Sequence, residues 1–193
     1  MTKTPFLTGV ALLAMFAAQP MLAQTSTETA PRATTQGARN VDAATRDFVQ
    51  KAWNIDNYEI RAGQHALNKT NNQAVRDYAT MIVADHNNAE GDLKPILEAA
   101  GVTLPTAPGS LDSDHQSRLD KLGGLKGAQF DDQFRQQQID GHERAITLFR
   151  DYATKGTHAE LKSWAQKSVS MLERHLEQAR SLPRDAQKGA SSD

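Results

Sequence analysis

The hydrophobic positions from about residue 42 to 182 recur at spacings of three and four, the period of helices that bury one face. Four long helices are predicted on this pattern, at about Asp42–Lys69, Asn72–Ala100, Ala128–Lys155 and from Thr157 to about Leu182. Their apolar stripes read Phe48, Ala52, Ile55, Ala62, Ala66 in the first and Val75, Ala79, Ile82, Ala89, Leu93, Ile96, Ala100 in the second. The third gives Phe134, Ala145, Leu148/Phe149 and Tyr152, and the fourth Leu161, Ala165, Leu172, Ala179 and Leu182. Alternating Val, Ile and Thr runs and hairpin dipeptides are missing, so no strand is expected.

Local signals place the boundaries. Asn71-Asn72 marks the first turn, and Gly101 a left-handed stop with Val102 packing back. Thr157-His158-Ala159-Glu160 has the capping-box pattern. In the long 101–127 connection, Ser113-Asp114-His115-Gln116 can cap a short helix that ends at Gly123-Gly124. Pro95 removes one hydrogen bond from the second helix and should kink its last turns. The fold expected is all-α: an antiparallel four-helix bundle of two helical hairpins, with both tight turns at one end. Trp53, off the main stripe, is expected under the long connection, and Tyr78 and Trp164 at the edge of the core.

The ends of the chain differ from this middle. Lys3, the apolar run Phe6–Ala18 and the Met21-Leu22-Ala23 exit read as a signal peptide over residues 1–23. That run is shorter than a membrane-spanning helix needs, so no stable span is expected after cleavage. Residues 24–41 read as a flexible linker, 42–182 as the bundle domain and 183–193 as a polar tail. Export puts the protein in the periplasm or outside the cell. The absence of cysteine leaves stability to the core. A net charge of −1, or −2 once Lys3 is removed, argues against nucleic acid as a partner; an envelope partner is left unnamed.

Candidate chemistry lies where the stripes turn polar. Glu59, His86, His142 and His175 each interrupt the buried face of a different helix. A buried carboxylate needs a partner or a metal. Imidazoles and carboxylates on facing helices are a recurrent way to build a metal site inside a bundle. Three histidines and one glutamate suit a single divalent ion, Fe, Mn or Zn. Asp85, Glu90, Glu143 and Glu173 stand nearby as supporting groups or alternative ligands, and Asp56 lies one turn before Glu59. The alternative is a polar network in which Glu59 accepts hydrogen bonds from the histidines and only fixes helix register. His65, His115 and His158 read as solvated surface. No nucleophile elbow, catalytic triad spacing or phosphate loop occurs, so no catalytic residue is assigned.

Several segments carry a family resemblance. They are Ala84-Asp85-His86-Asn87-Asn88-Ala89, His142-Glu143-Arg144-Ala145-Ile146, Leu172-Glu173-Arg174-His175-Leu176, Gly101-Val102-Thr103-Leu104-Pro105 and Gly127-Ala128-Gln129-Phe130-Asp131. Together they resemble the bacterial domain of unknown function family 4142, a secreted or envelope group classed with ferritin-like bundles. The resemblance implies an architecture and a compartment, and no agreed activity. Members often carry an acidic residue where this chain has Gly141. The di-iron Glu-x-x-His pairs of ferritin-like enzymes are absent, since Val83 and Leu172 stand three residues before His86 and His175. The function expected is a non-catalytic envelope or stress-related binding module. The alternatives are a mononuclear metal protein with a storage or redox role, and a bundle whose buried histidines respond to pH.

Overall fold

In the computed structural model, residues 41–103 and 110–184 are described. The signal segment 1–23, almost all of the 24–41 linker and most of the 183–193 tail lie outside the described residues. Five helices make up what is described, and no strand occurs among those residues. They are α1 (Ala43–Lys69), α2 (Gln73–Ala100), α3 (Ser113–Gly123), α4 (Gly127–Lys155) and α5 (Ala159–Ser181).

Four of the five helices are capped at their start by a side chain. Asp42 caps α1 by accepting from the Thr45 amide, and Asn72 caps α2 by accepting from Ala74 and Val75. The short helix α3 begins one residue earlier than the Ser113 pattern implied. Asp112 is its cap, accepting from the His115 amide at 2.9 Å. The α5 cap also differs from the expected Thr157. His158 fills that position, while the Thr157 hydroxyl donates instead to Asp42 Oδ2 at 2.9 Å. Gly101 ends α2 at φ 67°, in the left-handed region, and the Val102 amide reaches back to Leu97 O at 2.9 Å. α2 runs unbroken through Pro95 to Ala100.

α1 packs on α2, α2 on α5, α5 on α4 and α4 on α1, and α3 lies on α1 and α4. The buried side chains fall into two apolar clusters. One gathers Phe48, Trp53, Leu93, Phe149, Trp164 and Leu172, with Phe48 stacked on Tyr152 at 3.9 Å between ring centroids. The other gathers Tyr58, Ile82, Leu122, Phe130, Phe134 and Leu182. Trp53 belongs to the core, in the first cluster. Tyr78 is fully in the second cluster, and Trp164 in the first.

The two tight turns lie at opposite ends, contrary to the shared end expected from sequence. The turn before α5 sits against the start of α1, through Thr157 and Asp42 and through Thr45 and Tyr152 at 3.1 Å. The turn after α1 sits with the other cluster, beside the start of α4 and the end of α5. The reason is the long connection carrying α3. Lys69 Nζ, at the end of α1, donates to Gly123 O at 2.6 Å, so the connection returns along α1 before α4 begins.

α1 and α2 approach closely at one glycine. A Cβ on Gly63 would lie 2.6 Å from Val83 Cγ2 and 3.2 Å from Ala79 O.

Candidate metal centre

On every long helix buried polar positions fall where the apolar residues pass from one cluster to the other. In α1 these are Asp56 and Glu59, between Trp53 and Ala62; in α2 there is His86, between Ile82 and Ala89. In α4 they are Gln138 and His142, between Phe134 and Ala145; in α5 there is His175, between Leu172 and Ala179. These positions lie near the middle of α1, α2 and α4, so reversing one turn does not separate them. His86 and His175 are 0% exposed, His142 1%, Asp56 and Glu59 2%.

Three of the four residues singled out from sequence meet at one point. His86, His142 and His175 each offer one ring nitrogen, and these atoms lie within 4.8 Å of one another. Glu59 stands outside that group. Its Oε2 accepts from Gln138 Nε2 at 2.7 Å, and no histidine bonds to it. The network in which Glu59 received the histidines is therefore not the one present.

The partners of the outer ring nitrogens assign the protons. His142 Nδ1 faces Gln138 O at 2.8 Å, and a carbonyl only accepts, so that nitrogen carries the proton. His175 Nε2 donates to Asp85 Oδ2 at 2.9 Å, and His86 Nδ1 to Asp56 Oδ1 at 2.7 Å. The inward nitrogens of the neutral rings are then lone pairs. His142 Nε2 and His175 Nδ1 face each other at 3.3 Å, and His86 Nε2 is buried without a hydrogen-bond partner. Two lone pairs at that distance repel unless a cation lies beside them, and an unpaired buried nitrogen is costly. Two nitrogens on a tetrahedral ion at ~2.0–2.1 Å would be about 3.3–3.4 Å apart, so the pair has the spacing one metal ion requires.

Electrostatics sort the three rings. Burial holds the His142 imidazolium far below its ordinary pKa, with the fields of His86 and His175 adding to the effect. Burial and the field of His86 bring His175 down to about 4, against the pull of Asp85. Both rings are neutral at pH 7 and ready to donate lone pairs. His86 moves the other way: burial opposes its charge, but the hydrogen bond and charge of Asp56 outweigh burial and raise it. Burial raises Glu59 as well.

The supporting groups are partly those expected. Asp85 holds His175 and also accepts from Arg174 Nη2 at 2.7 Å. Burial disfavours its charge, but those two hydrogen bonds outweigh it and lower the Asp85 carboxyl. Glu90, Glu143 and Glu173 pair instead with Lys94, Arg180 and Arg150. Asp56 and Gln138 carry more of the site than the sequence indicated. Gln138 bridges three helices, accepting from Tyr78 at 3.0 Å while donating to Glu59. Asp56 shares a helix face with Glu59, which was the available signal; which of them met His86 depended on packing. His115 is not plain surface: its ring lies 5.3 Å from that of Tyr58.

The fold and this cluster define an all-helical protein with a buried three-histidine centre, each ring anchored at its far nitrogen. The family described as Domain of unknown function (DUF4142) matches residues 27–182, and the protein belongs to that family. No curated protein and no solved structure matches the chain. No helix among the described residues is long and apolar enough to cross a membrane.

Proposed function

We propose that this protein is an exported helical-bundle module of the cell envelope that binds one divalent metal ion through His86, His142 and His175. The observation that carries the reading is the convergence of three inward ring nitrogens whose outer nitrogens are already engaged by Asp56, Gln138 O and Asp85. Ligating histidines characteristically donate their other N–H to a carboxylate or carbonyl, which fixes the ring and raises its basicity. A merely structural network would place a proton between His142 and His175 or a partner on His86 Nε2. Zn, Fe(II) and Mn(II) accept such a nitrogen set, with a fourth position for water or an outside ligand. Glu59, whose Oε2 is held by Gln138, is a reserve oxygen donor or a proton acceptor for that fourth ligand.

The arrangement supporting this is read as an antiparallel four-helix bundle of ferritin-like type, with the cyclic order α1, α2, α5, α4 and a crossover through α3. The site is mononuclear on this reading. Ile139, Val83 and Leu172 stand three residues before the histidines, so the carboxylate pairs of a di-iron centre are absent and ferroxidase chemistry is not proposed. Export rests on the 1–23 segment and places the module in the periplasm or outside the cell.

The test is a titration of the metal-free protein with Co²⁺, followed by visible absorption. One equivalent should give a saturating d–d spectrum, lost in His86→Ala and in His175→Ala. A protein that gives no spectrum, or variants that keep it, would overturn the reading. Export is tested separately, by the mass of protein released from the periplasm: a chain cleaved after Ala23 is expected, and a full-length chain would contradict it.

A further inference from the structure

A second feature lies against the centre on the side of α1, α3 and α4. It is a cavity of about 240 Å³ whose lining includes the buried Glu59. Gly141 forms part of its wall, and the missing side chain there leaves room. A Cβ on Gly141 would stand 3.4 Å from Glu59 Oε1 and 3.6 Å from Arg118 Nη2. The open space over Gly141 is thus bounded by a carboxyl oxygen on one side and a guanidinium on the other. Arg144 lines the same cavity, and Ile55, Tyr58 and Leu148 supply its apolar wall.

The charges on this wall are not balanced by one another. Lys51 is paired with Asp47 at 2.7 Å, and Asp112 with His115 at 2.9 Å. Asp114 sits in the first turn of α3, where the helix dipole accommodates a negative charge. Arg118 donates to Gln137 O at 3.0 Å and lies over the Tyr58 ring, its guanidinium carbon 5.3 Å from the centroid. Among the described residues neither Arg118 nor Arg144 makes an ion pair. Two guanidiniums without carboxylate partners, beside an apolar wall, form the complement of an amphipathic anion. A planar guanidinium fork matches a carboxylate better than a single-point anion. Small-ligand sites have this make-up: an apolar lining with a few converging polar groups.

We propose that this cavity binds a small organic carboxylate, with its charged group held by Arg118 and Arg144 over Gly141 and its apolar body against Ile55, Tyr58 and Leu148. Glu59 faces the bound group from the lining. Burial raises the Glu59 carboxyl above its ordinary range, which lessens its repulsion of a bound anion. The site requires no metal, so it stands or falls apart from the three-histidine reading.

The experiment uses the full chain stripped of metal, titrated with benzoate and followed by amide NMR and calorimetry. Benzyl alcohol and benzylammonium serve as neutral and cationic counterparts of the same shape. Benzoate should saturate and shift the amides around Tyr58, Arg118 and Gly141. The two counterparts should bind at least about tenfold more weakly, the difference one charge-assisted contact makes. Arg144 is exposed and bears no structural contact, so Arg144→Glu should fold normally and weaken benzoate by about tenfold or more. Gly141→Leu, which fills the space, should abolish it. No saturable response to benzoate would overturn the proposal. So would equal binding of all three probes, or an affinity unchanged in Arg144→Glu.

Discussion

Asp56 and His86 form the pair on which the chemistry of the centre turns. Removing the Asp56 charge while keeping its shape, in Asp56→Asn, loosens the orientation of His86 and lowers its basicity. Metal affinity should fall roughly 10- to 100-fold, measured by competition with a chromogenic chelator, while the helical content stays constant. An unchanged affinity would show that Asp56 does not support a ligand. The same pair predicts a pH dependence. At pH 7 His142 and His175 are neutral, their values being lowered by burial, and have no proton to give up. His86 is raised by Asp56, so it is the ring of the three that takes up a proton on Nε2 first as pH falls, and an incoming ion must displace that proton. Metal binding should therefore release protons, more of them as pH falls toward the His86 range, and affinity should weaken as pH falls. Calorimetry in buffers of different ionisation enthalpy reads this directly; proton uptake on binding would contradict it. The three histidines were legible in sequence because an ionisable residue on a buried stripe is conspicuous. Asp56 and Glu59 were harder to rank, since they share one helix face and only packing decides which of them reaches His86.

At the scale of the helix, Gly63 and Gln138 are the positions where a small change should tell most. A methyl group at Gly63 meets Val83 Cγ2 at 2.6 Å and the Ala79 carbonyl at 3.2 Å, so α1 and α2 must separate. Gly63→Ala gains helix propensity of ~0.5–1 kcal/mol but overpacks at ~1–3 kcal/mol, for a net loss of about 1 kcal/mol. Its urea midpoint should drop; an unchanged or higher midpoint would refute the close approach. Tyr78→Phe leaves Gln138 Oε1 without its donor in the core and should cost about 1–3 kcal/mol. Helix limits were largely readable, because Asn72, Gly101 and Gly156 are strong local signals. The two caps placed one residue away, at Asp112 and His158, lay among several competent side chains, and distant contacts chose between them. Thr157 is the clear case, its hydroxyl being drawn to Asp42 on another helix.

For the whole molecule, the polar layer lies between two apolar clusters, and the order of connection sets which ends meet. Sequence periodicity carries no information on that order. The long connection returns along α1 instead of closing directly, which puts the two tight turns at opposite ends. The centre survives that rearrangement because its members on α1, α2 and α4 lie near mid-helix, a depth that does not depend on which end is counted from. Membership of the DUF4142 family agrees with the resemblance seen in its short motifs, and the family brings no activity with it. The reading of what the protein does therefore rests on its own side chains: three imidazoles gathered in the core and, beside them, a cavity with two guanidiniums free of carboxylate partners.

Elemental analysis of untagged protein, purified without chelator, tests the central claim most directly. About one equivalent of Zn, Fe or Mn per chain is predicted, lost in His175→Ala and retained in an exposed-residue control such as Glu177→Gln. Protein that carries no metal and takes up none when offered each ion would contradict the account and leave the three histidines as a polar element of the core.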